Sequence, residues 1–257
     1  MTTKRIIGKI DIKGKNVIKG MRFEGLRLIE NLTDFLLKRE SEFLVDEIYI
    51  NNITGSLYDT HIDLVLLEEI CQNIHIPITV QGGITSLQEI ENLLEKGASR
   101  VALNTSIIKN KFPIETLFRE FGSQAIVFSP SIRVNNKGEI NFFVNAGREL
   151  IKPSDNLSPY NYLKNLSERG LIEILIRLIE FDGVNQEVDH VTINQLKEIS
   201  KINIDTIISG SMHLETNYEK ILDYGFDGVA LSYMYIHSLE EINNLRKNIS
   251  KKWLVRQ

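Results

Sequence analysis

Asp11 closes a short apolar, β-branched run, Ile6-Ile7-Gly8-Lys9-Ile10-Asp11. At the C-terminal end of a barrel strand, a carboxylate in a partly desolvated cleft can act as general acid or base. Position alone is equally consistent with a helix-capping or solvated Asp. Glu180 and Asp182-Gly183 place further carboxylates after a later run, and Lys19 supplies a cation able to neutralise an anionic substrate. Two glycine- and hydroxyl-rich turns, Gln81-Gly82-Gly83-Ile84 and Leu103-Asn104-Thr105-Ser106, follow apolar runs. Ser209-Gly210-Ser211 and Leu231-Ser232 do the same near the end of the chain. Backbone N–H groups in such turns approach a phosphate closely. Glycine also serves ordinary tight turns, so the paired arrangement carries the argument.

A second constellation stands at the opposite ends of the runs. Arg5, Glu47, Arg100 and Glu173 each begin one. Gathered at the bottom of an apolar barrel, two positive and two negative charges must pair, because burying each alone costs several kcal/mol. The set reads either as a structural salt-bridge plug or as a polar gate for a small neutral molecule.

These residues need a frame. Eight short apolar runs recur, at residues 6–11, 47–50, 76–80, 100–103, 125–128, 172–179, 206–208 and 228–231, with amphipathic helical patterns between them. That alternation predicts an α/β protein, a closed (β/α)8 barrel forming one domain over residues 1–257. Gly97 is placed as a helix C′ residue. Residues 12–30 read as a long polar loop carrying Lys13, Lys15, Lys19 and Arg22, and residues 132–150 as a β-hairpin inserted after strand five, with Asn135-Asn136-Lys137-Gly138 as its turn. Shifting segment 82–108 by 128 positions superposes Gly82 on Gly210, Gly97 on Gly225 and Val101-Ala102-Leu103 on Val229-Ala230-Leu231. Two similar half-barrels would produce that echo, and so would the general likeness of βα units.

The 257 residues hold 30 Lys and Arg against 34 Asp and Glu, with 42% hydrophobic residues. That balance excludes disorder and argues against sequence-independent nucleic-acid binding. Cys71 is the one cysteine, no Cys/His cluster has zinc-ligand spacing, and the first residues lack an apolar signal region. The apolar run 171–181 is interrupted by Glu173, Arg177 and Glu180 and is too short to span a bilayer. The expectation is a cytoplasmic protein with neither metal nor cofactor and no membrane partner.

Arg5-Ile6-Ile7, Asp11-Ile12-Lys13, Val17-Ile18-Lys19-Gly20, Phe23-Glu24, Asp46-Glu47, Ile53-Thr54, Val80 to Ile84, Gly97-Ala98, Asn104-Thr105, Phe121-Gly122-Ser123-Gln124, Ala146-Gly147-Arg148, Glu173-Ile174-Leu175 and Asp182-Gly183 together resemble HisF, the cyclase subunit of imidazole glycerol phosphate synthase. The resemblance runs through nearly the whole chain in order. It implies a (β/α)8 barrel, lyase-type chemistry, and a heterodimer with a HisH-like glutaminase whose ammonia crosses the barrel to a phosphorylated substrate. It also implies Asp11 as one of two catalytic aspartates, with Lys19 as the catalytic-loop lysine and Asp182 beside them. Gly82, Gly83, Asn104 and Thr105 fall at the first phosphate site. Gly183, Ser209, Gly210, Ser211 and Ser232 fall around the rest of the substrate. Arg5, Glu47, Arg100 and Glu173 match the ammonia gate, with Arg100 where the family usually has lysine.

The departures are specific. Ser131 stands where the family has its second aspartate, and a serine cannot exchange a proton near neutral pH as a carboxylate can. Losing half of an acid/base pair costs roughly 10²–10⁴ in rate. Gly210-Ser211 replaces paired glycines, Leu231-Ser232-Tyr233 replaces small residues, and Arg177-Leu178 replaces Thr-Ser. The pattern implies a HisF-like paralogue whose substrate has drifted. Such paralogues serve nitrogen transfer to a sugar in bacterial surface-polysaccharide (lipopolysaccharide) synthesis. Retention of the histidine-pathway cyclisation and a non-catalytic ammonia conduit are the alternatives.

Overall fold

The computed structural model describes residues 3–40, 44–153, 157–184, 186–210 and 215–254. Eight parallel strands close on themselves: β1 (Arg5–Lys13), β2 (Glu47–Asn52), β3 (Ile78–Gln81), β4 (Arg100–Leu103), β5 (Ile126–Phe128), β6 (Glu173–Leu178), β7 (Asp205–Ser209) and β8 (Gly228–Leu231). The ring is sealed where β8 lies beside β1, with Gly228 opposite Arg5 and Leu231 opposite Gly8. This is the (β/α)8 barrel that the alternation of runs predicts. Among the described residues no helix is long and apolar enough to cross a membrane.

The pleat explains what fills the cylinder. Successive side chains on a strand point to opposite faces. Ile6 and Ile10 of β1 therefore join the large apolar layer between sheet and helices. Ile7 turns inward to a separate cluster with Tyr49, Ala102, Val127, Leu175, Ile207 and Ala230. Every strand but β3 contributes one residue to that middle layer. Polar residues lie above and below it: Thr79 at the bottom, Lys9, Gln81 and Arg177 at the top, all buried.

Two segments decorate the top. Residues 12–30 are not a loop, as their polarity suggested, but a β-hairpin. Strand Asn16–Met21 turns back on β1, with Asp11 opposite Ile18, and Glu24–Asn31 pairs with it in turn. Gly14 at φ +58° and Arg22 and Phe23 at φ +51° and +66° make the two reversals. Val17 and Ile18 are buried beneath it, and those few apolar residues outweigh the surrounding lysines. After β5, strand Ser131–Val134 pairs antiparallel with Ile140–Val144, as the Asn-Asn-Lys-Gly turn predicts, and Glu149–Ile151 adds a further strand. Asn135 Oδ1 accepts from the N–H groups of Lys137 and Glu139, both at 2.9 Å, which fixes that turn.

The internal echo is partly kept in the backbone. Gly97 follows helix Leu87–Glu95 at φ +100°, and Gly225 follows Glu215–Asp223 at the same angle. β4 and β8 each lead into a short helix, Thr105–Ile108 and Tyr233–His237. The first glycine pair breaks the likeness: Gly82 sits at φ +113°, while Gly210 has no positive φ.

A Cβ on Gly97 would lie 2.7 Å from Cys71 Cβ, whereas one on Gly14 would meet nothing within 4 Å. Both have positive φ. Gly14→Ala should therefore cost only the backbone term, about 1 kcal/mol, and Gly97→Ala roughly 2–3 kcal/mol. Urea unfolding of the two variants measures that difference.

Candidate functional site

The top of the barrel is organised by β1. Arg5, Ile7, Lys9 and Asp11 alternate inward, so Lys9 and Asp11 share one face two residues apart. Lys9 Nζ reaches both oxygens of Asp11, at 2.8 and 3.0 Å. Asn51, at the end of β2, donates to the same carboxylate at 2.7 Å. Lys19, on the covering hairpin, lies 3.9 Å from Asp11 and 3.1 Å from Asp182, which follows β6. All four charged groups are buried. The structure thus brings Asp11, Lys19 and Asp182 together. Glu180 stays exposed, its carbonyl accepting from Arg22.

Burial by itself would raise the Asp11 pKa. The ammonium groups of Lys9 and Lys19, with hydrogen bonds from Lys9 and Asn51, outweigh it and hold the carboxyl down at about 2. Lys19 is also desolvated, but Asp182 and Asp11 raise its pKa and keep it charged. In this arrangement Asp11 is ionised at any working pH. It can attract a cation or accept a hydrogen bond, but it is a weak base and holds no proton to give. Lys19 is the adjacent proton-bearing group.

Beside these pairs a cleft of about 180 Å³ opens at the top, lined among others by Gly82, Gly83, Asn104, Thr105, Lys109 and Arg177. Gly82 needs its conformation: a Cβ there would stand 2.2 Å from the Asn52 carbonyl oxygen. The first predicted phosphate turn is therefore an open, cation-flanked cleft. The remaining expected positions lie elsewhere. Gly183 is packed so closely on the Gly20 carbonyl that a Cβ would come within 2.2 Å. Ser209 and Ser232 are buried, and the Gly210 carbonyl accepts from the Tyr218 hydroxyl at 3.4 Å. Ser211 lies outside the described residues. Ser131 is buried at the start of its strand, with Asn104 Nδ2 3.4 Å from its Oγ. No residue within those contacts supplies the carboxylate that Ser131 lacks.

At the opposite end, Arg5, Glu47, Arg100 and Glu173 converge into one network. Arg5 lies 2.7 Å from Glu173 and 4.0 Å from Glu47. Arg100 lies 2.8 Å from Glu173 and also bonds Glu47. Asp205 joins at 3.6 Å from Arg5, and the Thr79 hydroxyl donates to Glu47. Asp205 went unnoticed in the sequence because it begins β7 as an ordinary exposed residue. Lys9 and Asn51 also went unnoticed. The i, i+2 spacing of Lys9 and Asp11 was the signal for the first; only strand pairing shows the second.

The family model described as "Histidine biosynthesis protein" matches residues 5–251. Among curated proteins the chain is similar to an imidazole glycerol phosphate synthase subunit HisF of Legionella pneumophila, 32% identical over 212 residues, 82% of this chain and 97% of that one. It is similar to the same-named protein of Natranaerobius thermophilus, 30% identical over 253 residues and 98% of each chain. A third, from Helicobacter hepaticus, is 28% identical over 249 residues, 97% of this chain and 96% of that one.

The depressed Asp11 pKa fixes a sign. Its carboxylate contributes stability fully above the ordinary value near 4 and loses it as pH falls toward 2. Asp11→Asn leaves Lys9 buried without its anion and should cost roughly 2–4 kcal/mol at pH 7. The gap between wild type and variant should close as pH is lowered from about 4 to about 2, the window between the ordinary and depressed values. Denaturant midpoints measured across that range test it.

Proposed function

Because this chain belongs to the HisF branch of the histidine-biosynthesis family, we propose that it is the ammonia-using synthase subunit of a glutamine amidotransferase complex. A HisH-like glutaminase docks on the end of the barrel that carries Arg5, Glu47, Arg100 and Glu173. The observation that carries the reading is the two-ended arrangement of one cylinder. A ring of paired charges lies at one end, a buried Asp11–Lys19–Asp182 group beside an open cleft lies at the other, and uncharged side chains lie between. Neutral ammonia can cross such a layer where ammonium, at the cost of desolvating a charge, cannot.

The path is closed at rest. The four gate residues bond one another, and Tyr49 with six aliphatic side chains fills the axis above them. Passage requires Arg100 to leave Glu47 and the small side chains of Ala102 and Ala230 to yield the necessary space. On reaching the top, ammonia is oriented through its N–H groups by the ionised Asp11 and attacks the acceptor carbon; the C–N bond forms as the C–O bond breaks, Lys19 protonates the departing oxygen, and the new ammonium group returns a proton to Lys19. The acceptor occupies the cleft, its phosphate at Gly82, Gly83, Asn104 and Thr105.

We assign the acceptor to a sugar of surface-polysaccharide synthesis rather than to the histidine pathway, because Ser131 is neutral and Ser209 and Ser232, at the ends of β7 and β8, are buried. The histidine reading retains one supporting observation: Asp182 is buried 3.1 Å from Lys19 and is placed to serve as a second acid. A pure conduit would need no Asp11.

Three measurements separate these readings. Adding the chain to its glutaminase should raise glutamine turnover about tenfold or more, and Glu47→Gln should abolish the gain. No complex and no stimulation would sink the proposal. Expression in a cyclase-deficient histidine auxotroph should not restore growth; growth would favour the histidine reading. Asp11→Asn should lower product yield by roughly 10²-fold or more, and an undiminished yield would mark a conduit.

A further inference from the structure

Of the seven residues that fill the middle layer of the cylinder, only Tyr49 carries a polar side-chain atom, and it is the bulkiest. It is fully buried. Close packing makes room for its ring by setting alanines, Ala102 and Ala230, on β4 and β8, the strands second to β2 on either side. The hydroxyl rises out of the apolar layer and donates to Gln81 Oε1, at the end of β3. Gln81 and Ala102 also line the cleft. Tyr49 therefore stands astride a boundary, its ring in the axis and its hydroxyl under the substrate chamber.

A second seat for that hydroxyl lies two strands from the first. Val127 belongs to the middle layer, so Ser129, two residues on and still bonded to β4 through its N–H, faces inward one level higher. Ser129 stands close enough to the Tyr49 hydroxyl to act on its ionisation. Its own Oγ is buried and has no partner in hydrogen-bonding geometry. A buried hydroxyl in that condition calls for a partner that arrives. Between the two seats runs β4, where Ala102 pairs with Gln81 on one side and with Val127 on the other. The arc from Gln81 to Ser129 thus passes over a methyl group. Of the two seats, Gln81 is the one that lines the cleft. A ligand N–H or O–H that takes Gln81 Oε1 displaces the Tyr49 hydroxyl, and Ser129 Oγ is free to receive it.

We propose that Tyr49 is an inner valve on the ammonia path, latched to Gln81 while the cleft is empty and moved to Ser129 when a ligand brings an N–H or O–H group to Gln81. Tyr49 is a positioning residue. It touches no reacting atom, and it admits ammonia to the chamber only when an acceptor is there to consume it. The ligand class is a hydroxyl- or amide-bearing phosphate, its phosphate at Gly82 and Thr105 and a donor group over Gln81. This deepens the reading of the barrel as an ammonia-using synthase and rests on it.

The whole chain, without a partner, tests the latch. Two probes are compared at about pH 8: N-acetylglucosamine 1-phosphate, which brings N–H and O–H donors, and methyl phosphate, which is fully ionised there and brings none. The readout is the NMR signal of the Tyr49 ring, assigned by its change in Tyr49→Phe. The sugar phosphate should move it and methyl phosphate should not. Tyr49→Phe removes the competitor for Gln81 and should bind the sugar phosphate about tenfold more tightly, whereas Ser129→Ala removes the second seat and should bind it about tenfold more weakly. Affinity for methyl phosphate should be unchanged in both. Ser129→Ala should melt no lower than wild type, because its hydroxyl is unbonded at rest, and it carries the test if Tyr49→Phe fails to fold. A ring signal that ignores the sugar phosphate or follows methyl phosphate, an unaltered sugar-phosphate affinity in Ser129→Ala, or a lower melting temperature for that variant would each overturn the assignment. The complex with the glutaminase tests passage. Wild-type glutamine turnover should rise about tenfold with the sugar phosphate and not with methyl phosphate, and Tyr49→Phe should turn over at the raised rate with neither. Equal rates in a working complex overturn the valve. Absence of any complex sinks the wider reading, and the measurements on the chain alone still decide the latch.

Discussion

A closed barrel tolerates an inward-pointing charge only when another of opposite sign meets it, and this constraint organises the molecule from end to end. One strand sets the pattern. β1 sends Arg5, Ile7, Lys9 and Asp11 to the same face, so it delivers a cation to the bottom, an apolar residue to the middle and an ion pair to the top. Its neighbours complete the compensation. Glu47 and Glu173 answer Arg5 and Arg100 below, and Asp182, reached through the hairpin, answers Lys19 above. Burial would favour neutral forms throughout. It is overridden wherever a partner lies near 3 Å, and the low Asp11 pKa is the clearest measure of that balance.

The two ends use the same chemistry to different effect. The lower network is multiply bonded, each Arg bridging two carboxylates, so moving one side chain leaves the others paired. The upper pairs are simpler and are closed over by the hairpin. Its strand Asn16–Met21 places Lys19 above Asp11, and the Arg22 N–H donates to the Asp182 carbonyl at 2.7 Å. The same hydrogen bond that seats the cover therefore also holds the residue that Lys19 binds.

Local signals made much of this legible in the sequence. Strand runs show as β-branched clusters, and Gly97 marks a helix end because its left-handed backbone excludes most other residues. The lower network follows from four charges at equivalent strand starts. The hairpin at 16–31 was hidden because its exposed strand carries little alternation; pairing with the extension of β1 creates it, and that is a tertiary event. Lys9 was legible in principle from its spacing to Asp11. The surroundings of Arg177, with one weak hydrogen bond to the Ser129 carbonyl, were not, since a sequence gives a residue's charge and not its partners. The turn after β7 contained Ser211, whose position the structure does not describe.

Pro130 has a consequence of its own. β5 stops at Phe128 and its course resumes only at Ser131, so β5 and β6 share a single register pair, Phe128 with Ile174, before Ser131 and Ile132 take over opposite Arg177 and Leu178. Proline has no N–H to give at the break; its carbonyl still accepts from the Arg177 N–H at 2.9 Å. The seam between β5 and β6 is therefore made in two short pieces, one on either side of Pro130. The interruption sets the neutral Ser131 beside the buried Arg177 in the barrel wall, one residue past the break.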